Sequence, residues 1–322
     1  MKITVYTPEG KQEILADELP AHLASSSPGI LWVDITGPPD EEIEMMRQVF
    51  NFHPLAIEDT RNERQRPKIE QYPEYLFGIL NPVRVSANKD GLVFREVNVF
   101  LGHKYIVTAH KSADPIIAEM RRRIESAHVS PPITCGYLMY MLVDVVVDTY
   151  FTVLDFIEDE IEAVGDQMLT RPRRSTTDRL FRLKRNLAEF SRVVRQQRQM
   201  FNLLTRRDLS YIDHEMLGYH LRDVHDHLNQ ISDLIESFRD MLSGVFDLYM
   251  SSVSNQVNLV VTRLTVITIC IGVLTVIGGF YGMNFEHTWP PFNAWWGVPF
   301  VIGLMIVSMG AVIWFSSKRG WY

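Results

Sequence analysis

The feature that most constrains the fold is a long apolar segment near the C-terminal end of the chain. Between Leu259 and Phe280 the only charged side chain is Arg263, close to the start of the segment. About 22 residues at about 1.5 Å each form a helix of roughly 33 Å, which is enough to cross the hydrocarbon core of a bilayer. A second apolar segment, 298–316, follows after a short loop. The sequence therefore predicts a hairpin of two membrane-spanning helices.

One face of the first span is built from polar and small residues. It consists of two rows whose members are seven residues apart, and steps between the rows alternate four and three, so the rows share one helix face. Because lipid offers no hydrogen bonds, such a face is expected to meet protein or water. The first row is Ser251, Asn258, Thr265, Gly272 and Gly279; the second is Asp247, Ser254, Val261, Thr268, Thr275 and Gly282.

Two interpretations of this face remain open from the span alone. It can be a packing face, because Thr275 and Gly279, or Gly278 and Gly282, have the spacing of small residues at touching membrane helices. It can also be the wall of a pore. The same two rows continue upstream, in phase, into the soluble part of the helix. A face used only for packing in the membrane has no reason to stay in register with these soluble polar rows, so the continuity favours the pore. The upstream members are Asp226, Asp233, Asp240 and Asp247, and Asp223, Gln230, Ser237 and Gly244. Taken alone, these aspartates also fit the solvated back of a coiled helix.

A long helix is predicted to carry both parts of this face. The chain has no proline between positions 173 and 289, and proline is the residue that interrupts helices. Apolar residues recur in steps of four and three from Leu217 to Tyr249, which predicts a heptad seam opposite the aspartates. A helix over 213–280 would be about 100 Å long.

The N-terminal part alternates strand and helix signals and predicts an α/β domain. A strand is expected at 30–35, a helix at 40–50 with acids in its first turn, and three strands at 75–85, 92–101 and 104–110. A helix is expected from 114 to about 128, and the helices 137–169 and 176–205 are expected to pair as an antiparallel hairpin with partly matched charges.

Composition and charge bound the function. The net charge of −7 argues against nucleic acid as a partner and is compatible with attracting cations. The two cysteines do not form a disulfide framework, and the first residues read as a strand rather than a secretory signal. No nucleophile elbow or phosphate loop is present, so we predict no enzyme. Arg263, Lys318 and Arg319 flank the hairpin while the loop 285–297 lacks basic residues, which places both termini in the cytoplasm.

Tyr281-Gly282-Met283-Asn284, followed by Phe285-Glu286 between two spans, resembles the CorA family of divalent-cation channels. The resemblance extends to the stretches 53–59, 66–70, 183–187 and 251–255 and covers nearly the whole chain. It implies a homopentamer in lipid of the plasma (inner) membrane, an α/β cytoplasmic domain with long helices, and a pore lined by the first transmembrane helix. The expected cargo is Mg²⁺, with Co²⁺ or Ni²⁺ also possible.

The resemblance also implies roles for individual residues. Gly282, Met283 and Asn284 would hold a hydrated ion at the outer mouth, which suits Mg²⁺ because it gives up its waters reluctantly. Leu264 would form a hydrophobic constriction. The expected lining residues are Asp247, Ser251, Ser254, Asn258, Leu264, Thr265, Thr268, Gly272, Thr275 and Gly279.

A regulatory metal site between subunits is a further family feature. Its stalk acid corresponds to Asp223. Its usual partner position holds Ser86 in this chain, and Asp90 is the nearby acid that can substitute. Mg²⁺ is thus expected as cargo and also as a regulatory ion.

The sequence divides into five predicted segments. The segments are an α/β domain (1–130), a helical hairpin (131–207), the stalk and first span (208–284), an outer loop (285–297), and the second span with a basic tail (298–322).

Two alternatives to a magnesium channel stay open. A zinc transporter resembling ZntB is one alternative, suggested by His214, His220, His225 and His227, although helical histidines at these spacings are more often solvated. A non-conducting membrane-anchored scaffold or sensor is the other.

Overall fold

The computed structural model describes residues 1–24, 29–62, 65–88, 90–112, 115–126, 132–170, 174–206, 209–283, 289–291 and 294–320. The chain forms two compact units, Met1–Gly244 and Val245–Tyr322. The boundary between the units lies inside one long helix. The elements confirm the predicted fold class, an α/β domain with long helices and two C-terminal apolar helices.

A mixed seven-stranded sheet organises the first unit. The strands are β1 (Lys2–Thr7), β2 (Gly10–Ile14), β3 (Ile30–Thr36), β4 (Lys68–Gln71), β5 (Leu76–Leu80), β6 (Val83–Val85), β7 (Leu92–Phe94), β8 (Val97–Leu101) and β9 (Tyr105–His110). The sheet order is β2-β1-β3-β9-β8-β5-β4, while β6 and β7 form a separate ladder. Among the described pairings β3 with β9 is parallel and the others are antiparallel.

Helices cover the sheet. They are α1 (Leu19–Ala24), preceded by a 3₁₀ turn at Ala16–Glu18, α2 (Asp40–Phe50), α3 (Pro54–Arg61), α4 (Pro115–Ser126), α5 (Cys135–Thr170), α6 (Arg174–Leu204), α7 (His214–Tyr281) and α8 (Gly297–Lys318). Side chains from α2 and α3, including Met46, Phe50 and Ile57, share a buried cluster with strand residues such as Val33 and Phe100. Burying this apolar surface is the main force that fixes the sheet within the unit.

The three strands expected between residues 75 and 110 are five in the structure, which corrects the sequence prediction. The first of the three breaks at Asn81-Pro82 between β5 and β6, because proline has no N–H to give to a ladder. Opposite this point the chain breaks again between β7 and β8, where the Arg95 N–H donates to the Pro82 carbonyl at 2.9 Å. The two breaks separate the small β6–β7 ladder from the main sheet.

Among the described residues, three helices are long and apolar enough to cross a membrane, and they differ in how much of their surface is buried. The apolar window of α5 is 67% buried inside the protein, whereas the windows of α7 and α8 are 6% buried. Helix α5 is therefore a core helix of the first unit. It pairs with α6, and Arg179 on α6 donates two hydrogen bonds to Glu160 on α5, at 2.8 and 2.6 Å. Helices α7 and α8 supply the predicted spans.

Helix α7 begins as predicted. The Asp213 carboxylate caps it by accepting from the N–H groups of Glu215 and Met216, both at 3.0 Å. The heptad residues from Leu217 to Leu242 are buried, and ring contacts of His220 with Tyr140 and of His227 with Phe151 show that this seam packs against α5 of the same chain. The aspartates Asp226, Asp233 and Asp240 are exposed, and so is Asp223, which lies beside the contact with α5 rather than opposite it.

Candidate pore face and metal site

The polar face of the second unit is open along α7. All ten residues expected to line a pore are exposed, from Asp247 and Ser251 to Thr275 and Gly279. A Cβ atom added at Gly272 or Gly279 would meet no described atom within 4 Å. Within the described residues, nothing of this chain covers the face.

Helix α8 packs on the other side of α7. The less exposed positions of α7 form a stripe, and α8 carries a matching stripe; where they meet, a Cβ atom at Gly278 would lie 3.6 Å from Met305 Cε. At about 100° per residue the stripe on α7 lies nearly opposite the Thr265–Thr275 rows. The α7 stripe is Thr262, Val266, Cys270, Val273, Ile277 and Tyr281; the α8 stripe is Val301, Met305, Ser308, Val312 and Ser316. Packing inside the hairpin therefore does not use the polar face.

The threonines on this face are already hydrogen-bonded within the helix. The hydroxyls of Thr265, Thr268 and Thr275 each donate to the carbonyl four residues earlier, at 2.8, 2.9 and 2.8 Å. The hydroxyl protons thus need no water. The expectation that this face must meet protein or water because lipid offers no hydrogen bonds therefore does not apply to the threonine donors. The oxygen lone pairs remain available, and they suit a cation or the waters of its hydration shell.

The end of α7 leads into the expected selectivity loop. The Gly282 N–H donates to the Gly278 carbonyl at 2.8 Å, and a Cβ atom on Gly282 would lie 3.1 Å from that same oxygen, so a larger residue would crowd the last turn. Met283 is exposed, and the Tyr281 hydroxyl donates to the Trp289 carbonyl at 3.1 Å. Asn284, Phe285 and Glu286 lie outside the described residues.

A group of metal-ligand side chains lies in the first unit, where α5 meets α7. Ligand atoms of Asp144, Asp223 and His227 all lie within 4.8 Å of one another. Burial, reinforced by neighbouring Asp148, raises the pKa of Asp144 above its ordinary value. Within the described part of the chain, Nδ1 of His227 is buried without a hydrogen-bond partner. Two carboxylates and an imidazole with an unused nitrogen fit a divalent cation.

Arg123 limits the charge that this group holds. Its guanidinium donates to Asp144 Oδ2 at 2.9 Å and to Asp148 Oδ2 at 2.5 Å, so the Asp144 carboxylate is partly neutralised. Asp223 is the exposed member of the group, and its Oδ1 lies 3.9 Å from His227 Nε2. An ion would therefore add positive charge chiefly beside Asp223.

The structure differs in detail from the predicted regulatory pair. The carboxylate of Asp90 accepts a hydrogen bond from the Ser86 hydroxyl at 2.6 Å, and Asp90 does not belong to the described group around Asp223. A pairing of Asp90 with Asp223 across subunits stays a prediction. Sequence reasoning missed Asp144 and grouped His227 with solvated histidines. The spacing of four between Asp223 and His227 was a usable signal, whereas Asp144 is on a different helix.

Comparisons with known proteins point to one family. The family model described as "CorA-like Mg2+ transporter protein" matches residues 27–318. The cobalt/magnesium transport protein CorA of Thermotoga maritima is 35% identical over 298 residues, which cover 92% of this chain and 84% of that protein. The putative metal ion transporter YfjQ of Bacillus subtilis is 35% identical over 295 residues, covering 90% and 89%.

A solved structure agrees over the full length. The complete CorA magnesium transporter from Methanocaldococcus jannaschii superposes with a TM-score of 0.85 at 20% sequence identity and covers 100% of this chain and 99% of that chain. At this identity the likeness supports the fold.

Proposed function

The chain belongs to the CorA-like Mg²⁺ transporter family, and on that premise we propose that it is a channel through which Mg²⁺ passes down its electrochemical gradient. Co²⁺ and Ni²⁺ are further candidate cargoes. The channel is a homo-oligomer, a pentamer by family resemblance, in the plasma (inner) membrane, with both termini in the cytoplasm. The first span of each subunit lines the path.

The separation of two faces on α7 is the observation that carries this proposal. One face packs on α8, and the opposite face presents Asn258, threonine oxygens and glycines. Exposed polar residues in a membrane span face a protein interior or a water-filled cavity. Two helices cannot enclose such a cavity, so several copies of the chain must do so.

Ion selection is assigned to the loop after α7. Gly282, Met283 and Asn284 of each subunit surround the outer mouth, where neutral amide and carbonyl oxygens bind the ion through its waters. Deeper in the path, Asn258 forms an amide ring and Thr265, Thr268 and Thr275 form hydroxyl rings. Leu264 is the hydrophobic constriction, and Asp247 concentrates cations at the inner mouth.

Replacement of Asn284 tests the proposal. In proteoliposomes, Asn284→Ala should reduce Mg²⁺ flux at least about tenfold, because a lost bond to a hydrated ion is worth on the order of 1.4 kcal/mol. Gln256→Ala is the matched control, since Gln256 is an exposed amide of the same helix and, at about 100° per residue, lies nearly opposite Ser251 and Asn258. Mg²⁺ flux unchanged by Asn284→Ala would contradict the channel assignment. The same assay with Zn²⁺ as competitor separates magnesium from zinc transport.

The group around Asp223 is assigned a regulatory role. We propose that Asp144, Asp223 and His227 hold a divalent ion, with Asp90 of a neighbouring subunit as an additional ligand. The observation in favour is the convergence of three ligand atoms, one from each of these side chains. An imidazole ligand also suits Zn²⁺, which is the specific reason to keep zinc as the alternative ion.

A further inference from the structure

A cavity of about 720 Å³ lies in the first unit, between the sheet and α6, and neither the pore nor the Asp223 group uses it. Its wall joins the end of β9, the breaks around β6 and β7, and one side of α6. The lining residues that bear on its chemistry are Arg66, Asn81, Phe94, Arg95, Asn98 and Arg192. Ligand pockets of this volume accommodate molecules the size of a nucleotide.

The cavity is rich in cations. Arg66 and Arg192 are exposed on its wall, and among the described residues neither forms an ion pair. Arg95 is held at the rim by a hydrogen bond from its guanidinium to the Ser112 hydroxyl, at 3.2 Å. The guanidinium groups offer planar, forked donors, the geometry that matches phosphate oxygens.

Two acids, Glu96 and Glu189, also line the cavity, against the four cations Arg66, Arg95, Lys111 and Arg192. Glu189 is exposed on α6, whereas Glu96 is already engaged by the protein. The Glu96 carboxylate accepts from the backbone N–H of Gln65 at 2.9 Å and from the Asn98 side chain at 3.3 Å. His110, also on the wall, faces two acceptors: Nδ1 lies 2.7 Å from the Ser112 carbonyl and Nε2 lies 3.1 Å from Asp34 Oδ1. Both ring nitrogens are therefore best satisfied as donors, so His110 adds no acceptor to the cavity.

Two asparagines in the cavity wall carry unused acceptors. Asn81 is 6% exposed and Asn98 is 4% exposed. The Asn81 amide nitrogen donates to the carbonyls of Gln65 and Arg95, both at 3.2 Å, and this sets which end of the amide is the oxygen. Within the described part of the chain, the Oδ1 atoms of both asparagines have no hydrogen-bond partner. Buried acceptors without partners are uncommon and call for a donor, which a ligand can supply.

We infer that this cavity binds a nucleotide, with its phosphates on Arg66, Arg95 and Arg192 and its donor groups near Asn81 and Asn98. The half-buried Phe94 ring offers a surface on which a base can stack. An isolated phosphate would pair with the arginines but fill only a small part of the cavity volume. A neutral nucleoside would donate to the asparagine oxygens and leave the arginines without an anion.

The test measures binding directly on the full-length protein in detergent, by titration calorimetry with ADP, adenosine and inorganic phosphate. Free Mg²⁺ is held constant with a metal buffer, because nucleotides chelate Mg²⁺ and would otherwise act through metal sites. The double variant Arg66→Gln/Arg192→Gln removes the two wall arginines that form no ion pair with any described residue. The matched control is Arg185→Gln/Arg195→Gln, which removes two exposed arginines of α6 that are not among the lining residues.

The expected result is one saturable ADP site per chain whose affinity falls at least about tenfold in Arg66→Gln/Arg192→Gln and stays unchanged in the control, since a lost charge-assisted bond is worth about a factor of ten. Adenosine and phosphate should each bind at least about tenfold more weakly than ADP, because each makes part of the contacts. Three results would overturn the inference: no saturable ADP binding, equal loss in both double variants, or phosphate binding as tightly as ADP. Because the readout is binding, its failure leaves the channel assignment untouched.

Discussion

At the scale of single residues, Asp34 illustrates how a buried charge is held. It accepts from the Thr108 hydroxyl at 2.7 Å and from His110 at 3.1 Å, and Arg121 lies 3.5 Å away while stacking over Trp32. Burial alone would raise the pKa of Asp34, but the hydrogen bonds from His110 and Thr108 outweigh it and bring the pKa below its ordinary value. Asp34 thus stabilises the fold in its ionised form.

The pH dependence of stability follows from this sign. A lowered folded-state pKa means that the contribution of Asp34 is present above its unfolded pKa, near 3.8, and is lost as the pH falls through the folded value. Asp34→Asn should reduce the free energy of unfolding by about 3 kcal/mol at neutral pH, because it leaves buried cations without their anion. Thermal unfolding between pH 7 and 3 measures this, and the gap to wild type should narrow below pH 4. Glu58→Gln, at an exposed site, is the control; equal effects would contradict the assignment.

Asp223 carries a second prediction at this scale. If Mg²⁺ binds at the Asp144, Asp223 and His227 group, the melting temperature rises with Mg²⁺ concentration. Asp223→Asn should then raise the concentration for half of that shift about tenfold, since a carboxylate ligand is lost. Asp226→Asn replaces another exposed aspartate on α7 that is outside the group. If the melting temperature of Asp223→Asn depended on Mg²⁺ concentration as that of the wild type does, the proposed metal site would be contradicted.

At the scale of elements, the hairpin of α7 and α8 separates a packing surface from a free one. Gly278 approaches Met305, while Gly272 and Gly279 face open space in the described structure. The spacing of small residues in the sequence could not tell these glycines apart, because two overlapping small-xxx-small patterns occur. The position of α8 distinguishes them, and it leaves the threonine face for contact with water or with another subunit.

Cysteine labelling distinguishes a wet face from a dry one. In a Cys270→Ser background, Thr275→Cys should react with a membrane-impermeant thiol reagent in assembled channels, whereas Val307→Cys should not. Val307 is 68% exposed on the side of α8 that faces away from α7, so it is the matched lipid-facing position. Equal protection of both cysteines would support the scaffold or sensor over the channel.

At the scale of the whole molecule, the two units have opposite surface chemistry. The first buries its apolar residues within one chain, including the long apolar helix α5. The second exposes valine, leucine, isoleucine and phenylalanine along both of its helices, with little of their surface covered. An apolar exterior of this kind is typical of membrane-spanning helices, and in the proposed channel the polar face within it meets further copies of the chain. The proposal therefore ties membrane insertion and oligomerisation to the same two helices.

The sequence by itself determined the long helices and the family. Helix periodicity predicted α7 to within about two residues at each end, because a proline-free heptad pattern and an Asp213 cap act locally. The motif after Tyr281 indicated the CorA family, which the comparisons confirmed. The heptad seam was also predicted, although its partner was not.

Tertiary structure decided what touches what. It placed α5 in the core rather than in a membrane, since hydropathy measures composition and not the presence of neighbours. It brought Asp144 beside Asp223 across 79 positions of sequence, and it gathered arginines and asparagines from four separate stretches around one cavity. Such contacts arise from the packing of helices against a sheet, so no local pattern contains them. Periodicity acts over a few residues and is readable in a chain, whereas a site depends on distances that only packing fixes.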